Sequence, residues 1–346
     1  MSEATQSRIL ALGNGVWLDE IRKEGLAPIK DIPGGSVTFA TLGARLFTPK
    51  EPASIGMVFN AGGDFPSAIM ELFRSWSISL TVHHQSDKPS ARGLVFYDKA
   101  NDDRKGFQRL TEPLPVTIKD VQGTTMLRAR SFHFFGTAEY VEEQVWDMYN
   151  LRRQANYTPA EQPFIIWEPQ AKSCRPDSLC AHQDAAGLVS VFSPNHEELA
   201  GFFDDNAQPT AHFDKQRIER QARAFVDAGI GAARDGCVVV RAAGHGCVVM
   251  TQDMEPVWLP SFYASDRDAH MVVDATGAGN AFLGAFAIGW QESGSYVEAA
   301  KYGQVAASFV IEQVGLPVRF GHGELELWNC CAVRERLAVY RARLDG

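Results

Sequence analysis

Cysteine is scarce in this chain: six in 346 residues, too few for the disulfide framework of a secreted scaffold. Five residues lie between Cys174 and Cys180, and Cys330 and Cys331 are adjacent, and neither is a zinc-ligand spacing. All six read as free thiols in a reducing compartment. Basic clusters are lacking too. Lys and Arg number 33 against 42 acidic residues, a formal charge of −9 with no positive run, so no nucleic-acid partner is expected. Long apolar runs are also missing: residues 281–290, the most apolar stretch, are about half the roughly 20 residues needed to cross a bilayer. The opening MSEATQSRILALGNG has no charged segment followed by a long apolar one and does not read as a secretory leader. A soluble, cytoplasmic protein with no membrane partner is the expectation.

What is present is the composition of a globular chain, 45% hydrophobic and 22% charged, with length for a large core. Short apolar runs at 9–12, 55–59, 77–82, 132–135, 164–167, 188–192 and 237–240 read as buried strands. Helical patterns lie between them, for example at 140–149 and 216–228, and a further helix is expected over 296–314. Such alternation predicts an α/β fold whose mostly parallel sheet carries helices on both faces. No linker interrupts it, so one domain over residues 1–346 is expected. Residues 91–109 break the rhythm and read as a hairpin turning near Asn101–Asp103, which an extended patch at 16–32 could join to form a small β lid. A lid suits chemistry that must exclude water.

The segment MVVDATGAGNAFLGA, residues 271–285, reads as a strand, a turn through Thr276, Gly277, Ala278 and Gly279, and an apolar helix. Small residues at a helix start leave backbone N–H groups open to an anion, and the helix dipole adds positive potential there. The plainer reading is a tight connection whose glycines serve the turn alone. No G-x-x-x-x-G-K-[ST] occurs, and Gly13-Asn14-Gly15 lacks the third glycine of a dinucleotide fingerprint.

The string Asp274-Ala275-Thr276-Gly277-Ala278-Gly279-Asn280-Ala281-Phe282 resembles the second signature of the PfkB (ribokinase-like) carbohydrate kinases, D-[TP]-T-G-A-G-D-x-F. Gly34-Gly35, with Ala44-Arg45-Leu46 further on, resembles the family's N-terminal segment, and Gly63-Asp64 its G-x-D element. Asn195-His196-Glu197-Glu198 resembles N-x-x-E, and VVVRAAGHG at 238–246 the strand and loop before the adenine site. The resemblance runs over about residues 9–318, and the wording IWEP, FSPNHEEL and ASFVIEQVGLP is similar to a fungal subgroup with Asn for the catalytic Asp.

This resemblance implies a ribokinase-like three-layer α/β/α fold with lid strands from about 14–35 and 90–112. It implies ATP and Mg2+ as cofactors, a small-molecule substrate, and pairing of two copies through the lid in some relatives. It places Gly277, Ala278, Gly279 and Asn280 at the transferred phosphoryl group. Thr276, Asn195, Glu198, Arg241, Gly244 and Gly246 fall on the nucleotide side, Glu198 serving magnesium indirectly. Asp19, Gly34, Gly35 and Arg92 fall on the substrate side. Phe39 stands in the stretch where the family keeps a substrate-binding Asn, and offers an apolar wall instead. Asn195 and Glu198 have a second reading as a helix cap. His83, His84, His196 and His245 read as ordinary loop or strand-end residues, His245 bordering the adenine loop.

Asn280 is the departure that matters most. An amide has no basicity near neutral pH, and a positioned base contributes about 10²–10⁴-fold. Phosphoryl transfer through a loose transition state asks little of a base early on, so turnover need not vanish. Three readings stay open: a slow or altered kinase, a pseudokinase that binds nucleotide or a sugar-like ligand, and different chemistry on the same scaffold with an anionic ligand at the helix start.

Overall fold

The computed structural model describes residues 7–13, 15–22, 27–97, 104–158, 162–203, 213–264 and 266–345. The first seven strands are β1 (Ile9–Leu12), β2 (Trp17–Arg22), β3 (Ile29–Gly34), β4 (Ile55–Gly62), β5 (Ser79–Gln85), β6 (Arg92–Tyr97) and β7 (Arg104–Arg109). The next six are β8 (Ser131–Gly136), β9 (Phe164–Pro169), β10 (Val191–Phe192), β11 (Cys237–Arg241), β12 (Cys247–Thr251) and β13 (Met254–Leu259). Among the helices are α1 (Ser36–Leu46), α2 (Ser67–Ser75), α3 (Ala138–Gln154), α4 (Leu179–Ala186) and α5 (His196–Gly201). The remainder are α6 (Lys215–Ala228), α7 (Ala278–Ser293), α8 (Tyr296–Val310) and α9 (Val333–Asp345).

The main sheet has nine strands in the order β13-β12-β11-β10-β9-β8-β1-β4-β5. From β11 to β5 all neighbours are parallel, and β12 and β13 close the other edge as an antiparallel pair. Continuous apolar runs suit this arrangement because helices cover both faces of a parallel sheet; every residue of β4 is buried. One helical group, α1, α7 and α8, packs on β1, β4, β8, β9 and β12, and α3, α4 and α6 form another over β8, β11 and β12. The apolar runs therefore became strands as expected, with two shortened at their starts: β5 begins at Ser79 rather than 77, and β10 keeps only two residues because Leu188 and Val189 are spent in the turn closing α4.

A second sheet, β3-β2-β6-β7, forms the expected lid. The hairpin is the antiparallel pair β6–β7, and β2 joins it in parallel through β6, Leu18 opposite Arg92. Its turn, with Asn101–Asp103, lies outside the described residues, as does Asn14.

Two expectations fail near the C-terminal half. Residues before the glycine turn are not a strand: Asp266–Met271 is a 3-10 helix, followed by exposed Val272 and Val273. Helix α8 ends at Val310 rather than at residue 314. The causes are linked, because the Ile311 carbonyl just past α8 accepts the N–H groups of Val273 (2.7 Å) and Asp274 (3.2 Å). The loop thus satisfies a helix-end carbonyl that would otherwise lack a partner, and the helix stops there.

Helices α1 and α7 cross at backbone contact. A Cβ at Gly43 would overlap the Ala281 carbonyl, and one at Gly284 would overlap the Ala40 carbonyl. This close approach explains the helix glycine at 284 and brings the starts of the two helices together.

Candidate functional site at the start of helix α7

Gly277 is the N-cap of α7, with φ 81° in the left-handed region and no side-chain cap. Asp274, buried below the turn, accepts the Thr276 N–H at 2.9 Å and shapes it. The first i to i−4 bond of the helix is Ala281 N–H to the Gly277 carbonyl (3.0 Å), while the Ala278 N–H turns back to Ala275 (3.2 Å). Gly279 and Asn280 thus carry first-turn N–H groups that no intrahelical bond uses. The Thr276 hydroxyl is buried beside them without a partner. Of the three amides assigned to the cradle from sequence, Ala278 is committed elsewhere.

A Cβ at Gly279 would overlap the Arg241 Nη1, so any side chain there would have to push the guanidinium aside. Arg241 ends β11, and its guanidinium spans three elements. Nη1 donates to Glu168 Oε1 (2.9 Å), and Nη2 donates to the Ser193 carbonyl (2.9 Å) and faces Glu198 Oε2 at 3.5 Å. Its Nε is buried with no partner.

Glu168, in β9, sits at the centre. Its Oε2 accepts from Nε2 of fully buried His133 on β8 (3.1 Å) and from the Asn280 Nδ2 amide. Burial works against the ionised form, but Arg241 and His133 outweigh it and hold the Glu168 carboxyl below its ordinary range. Asn280 therefore does not face empty space where a carboxylate is missing; it donates to a carboxylate one strand away. Sequence reading named neither Glu168 nor His133. The available signal was a lone acidic residue ending the apolar run FIIW and a lone His inside FHFF.

Glu198 and Asn195 form a reciprocal cap on α5. Asn195 Oδ1 accepts the N–H groups of Glu197 (2.9 Å) and Glu198 (2.8 Å), and Glu198 Oε2 accepts the Asn195 N–H (2.7 Å). Burial pushes the Glu198 carboxyl up to about 7, with Arg241 opposing and Glu168 adding to the rise. The geometry shows the helix-cap reading, a capping box whose carboxylate also touches Arg241.

Gly244 and Gly246 lie in the turn from β11 to β12. Gly246 has φ 92°, and a Cβ there would overlap the Leu259 carbonyl, so the turn alone explains it. Gly244 has open space around it, and Ser261 Oγ donates to its carbonyl (2.9 Å). Ala243 adopts φ 48°, a conformation that costs a non-glycine residue about 1 kcal/mol. The Phe213 ring stacks on His245 at 3.7 Å.

On the other side, the Gly35 N-cap of α1 has φ 91°. One turn later Phe39 is 2% exposed, and its ring occupies the space a Cβ at Gly277 would need. This contact joins the turn at the start of α1 to the α7 turn. Buried Asp19 lies between Gly34 and Gly93, each of which leaves no room for a Cβ beside it. Arg92 is engaged within the lid region, donating to Asp31 (2.5 Å) and Asp64 (3.1 Å). The Ser90 N–H on Asp64 (2.6 Å) helps hold that carboxyl below its ordinary range.

The profile of the pfkB family carbohydrate kinases matches residues 167–317, a span that holds Glu168, Asn195, Glu198, Arg241 and the whole α7 turn. An uncharacterized protein of Schizosaccharomyces pombe is 31% identical over 342 residues, covering 93% of this chain and 90% of its own length. The chain belongs to the PfkB family. Protein MAK32 of Saccharomyces cerevisiae is 24% identical over 354 residues, 98% of this chain and 93% of its own. Among solved structures, phosphofructokinase-2 from Escherichia coli, in complex with substrates and products, superposes with a TM-score of 0.63 at 14% identity. That likeness covers 97% of this chain and 99% of the other, and shows the ribokinase-like fold.

Proposed function

We propose that this PfkB protein transfers the terminal phosphoryl group of ATP to a hydroxyl of a sugar, nucleoside or related metabolite, at a rate reduced by Asn280. The observation carrying this reading is the α7 turn, where the open N–H groups of Gly279 and Asn280 share one site with the Arg241 guanidinium. Donors fixed in advance around a phosphoryl group are the main source of catalysis for such transfers. The hydroxyl oxygen attacks phosphorus, ADP leaves, and the cradle takes the charge gathering on the transferred oxygens.

Asn280 positions rather than deprotonates. Because its Nδ2 donates to Glu168, its Oδ1 is the atom turned toward an incoming donor, and it accepts the substrate hydroxyl. Glu168 cannot replace the lost base in this arrangement, since both its oxygens are occupied by Arg241, His133 and Asn280. The hydroxyl proton leaves on the phosphoryl oxygens or on water, at a rate cost of about 10²–10⁴-fold.

On the substrate side, Asp19 accepts hydroxyl hydrogen bonds, while Phe39, expected as an apolar wall for the ligand, is 2% exposed with its ring packed on Gly277 and instead supports the α7 turn. Arg92, tied to Asp31 and Asp64, braces the lid. Exposed Ile29, Phe107 and Leu110 suit pairing of two copies through the lid. The described residues include no helix long and apolar enough to cross a membrane.

The family uses ATP with magnesium. The carboxylates facing this cradle do not fit a directly bound ion, because Glu168 is saturated and Glu198 Oε2 is shared by Asn195 and Arg241. A screen for ADP release with sugars, polyols and nucleosides tests the reading. Slow turnover on one class is expected; ATP binding without any turnover favours a pseudokinase, and no ATP binding at all refutes both.

A further inference from the structure

Besides Asp274, which is spent on the Thr276 N–H, the carboxylates of Glu168 and Glu198 lie beside the α7 turn with side chains 6% and 9% exposed, and one guanidinium lies between them. Two buried acids next to a phosphate cradle repel an anion unless a cation intervenes. We propose that Arg241 is that cation, built into the chain where a divalent ion would otherwise bridge the two acids, so that a nucleotide phosphate binds the cradle as the metal-free anion. The inference rests on nucleotide binding at this turn.

Three features carry it. Arg241 is 11% exposed and reaches both acids from one side chain, a fork that Lys could not reproduce. Its Nη1 lies against Gly279, where a Cβ would overlap it, so the positive charge stands at the helix N-terminus itself. Its Nε is buried without a partner, and so is the Thr276 hydroxyl in the same turn, leaving polar atoms to be satisfied there. Three of the four carboxylate oxygens, both of Glu168 and Oε2 of Glu198, are already engaged by Arg241, His133, Asn280 and the Asn195 N–H. A divalent ion would have to displace these partners together.

Asn280 acts in the same direction. An Asp there would add a further negative charge beside Asp274, Glu168 and Glu198, all buried, with the one guanidinium already shared by Glu168 and Glu198. With an amide at 280 that extra charge is avoided, so the two residues form one charge arrangement rather than two separate departures.

Titration calorimetry of the whole chain with ADP and with pyrophosphate, in excess EDTA and in excess magnesium, tests this. Equal affinity in both, within about threefold, is expected for the wild type. Arg241→Gln should lose roughly tenfold or more in EDTA, the worth of a charge-assisted contact, and regain part of it with magnesium. That variant leaves Glu168 buried and unpaired, so Arg241→Gln with Glu168→Gln serves as a second variant, and circular dichroism checks both for folding. Wild-type binding that appears only with magnesium overturns the inference while leaving the kinase reading intact. Binding of neither ADP nor pyrophosphate in either condition refutes the kinase reading itself, and this inference with it.

Discussion

Asn280→Asp restores the carboxylate that the PfkB signature carries, and Glu168 decides its consequence. In the wild type the Asn280 amide donates to Glu168 Oε2. The substitution removes a hydrogen bond to a charged group, worth about 1.5–3 kcal/mol. It also sets two carboxylates about 3 Å apart, where at an effective dielectric of 20 they repel by about 5 kcal/mol. Arg241 is already shared with Glu198 and offsets only part of this. The less costly outcome is that one acid of the pair keeps a proton. Its folded-state pKa is then raised, so the pair's stability is intact at low pH and is lost as pH rises through the raised value. Urea unfolding followed by tryptophan fluorescence should show Asn280→Asp about 3–5 kcal/mol less stable than wild type near pH 8, with the gap closing toward pH 5. Adding Glu168→Gln exchanges the amide and the acid, and should bring the gap back to within about 1 kcal/mol. Turnover should follow: little gain for the single variant at pH 7, and up to about 10²–10⁴-fold for the double. A single variant with wild-type stability at pH 8 and full turnover would refute the role given to the Asn280–Glu168 contact.

Three further outcomes follow from the geometry. Gly43→Ala drives a methyl group into the Ala281 carbonyl where α1 crosses α7, and should cost about 1–3 kcal/mol in urea unfolding, with weaker ligand binding as the two helix starts separate. Glu326→Ala strands Arg45, which donates to Glu326 Oε1 (2.8 Å) and Oε2 (2.5 Å) in full burial; a loss of about 3–5 kcal/mol is expected, and much less for Arg45→Met with Glu326→Leu. Glu198, with its carboxyl raised to about 7 from 4.5, contributes fully to stability below about pH 4.5 and loses that contribution as pH rises through 7. Glu198→Gln should flatten this dependence, together with an expected weakening of anion binding above pH 7, read by calorimetry across pH 5–9.

Much of the fold was open to sequence reading because its signals are local. Continuous apolar runs such as 55–59 mark strands covered on both faces, and the polar break at 91–109 marks the lid hairpin. The failures have a common cause. Residues 271–273 resemble a strand in composition, yet the Val273 N–H goes to the Ile311 carbonyl at the end of α8, a partner 38 residues further along. No local pattern records that bond, nor the matching early end of α8.

The site divides in the same way. The glycine turn, the Asn195–Glu198 cap and the amide at 280 can each be read along the chain, since each lies in one short run with its own backbone logic. What Asn280 does depends on the fold, because its partner Glu168 is 112 residues away and the sheet order sets β9 under the start of α7. The same order ends β11 beside β10 and β9, so Arg241 reaches both Glu168 and the cap of α5. Read along the chain, the Asn looks like a missing acid. In the folded protein an acid is present next to it, one strand away and already paired.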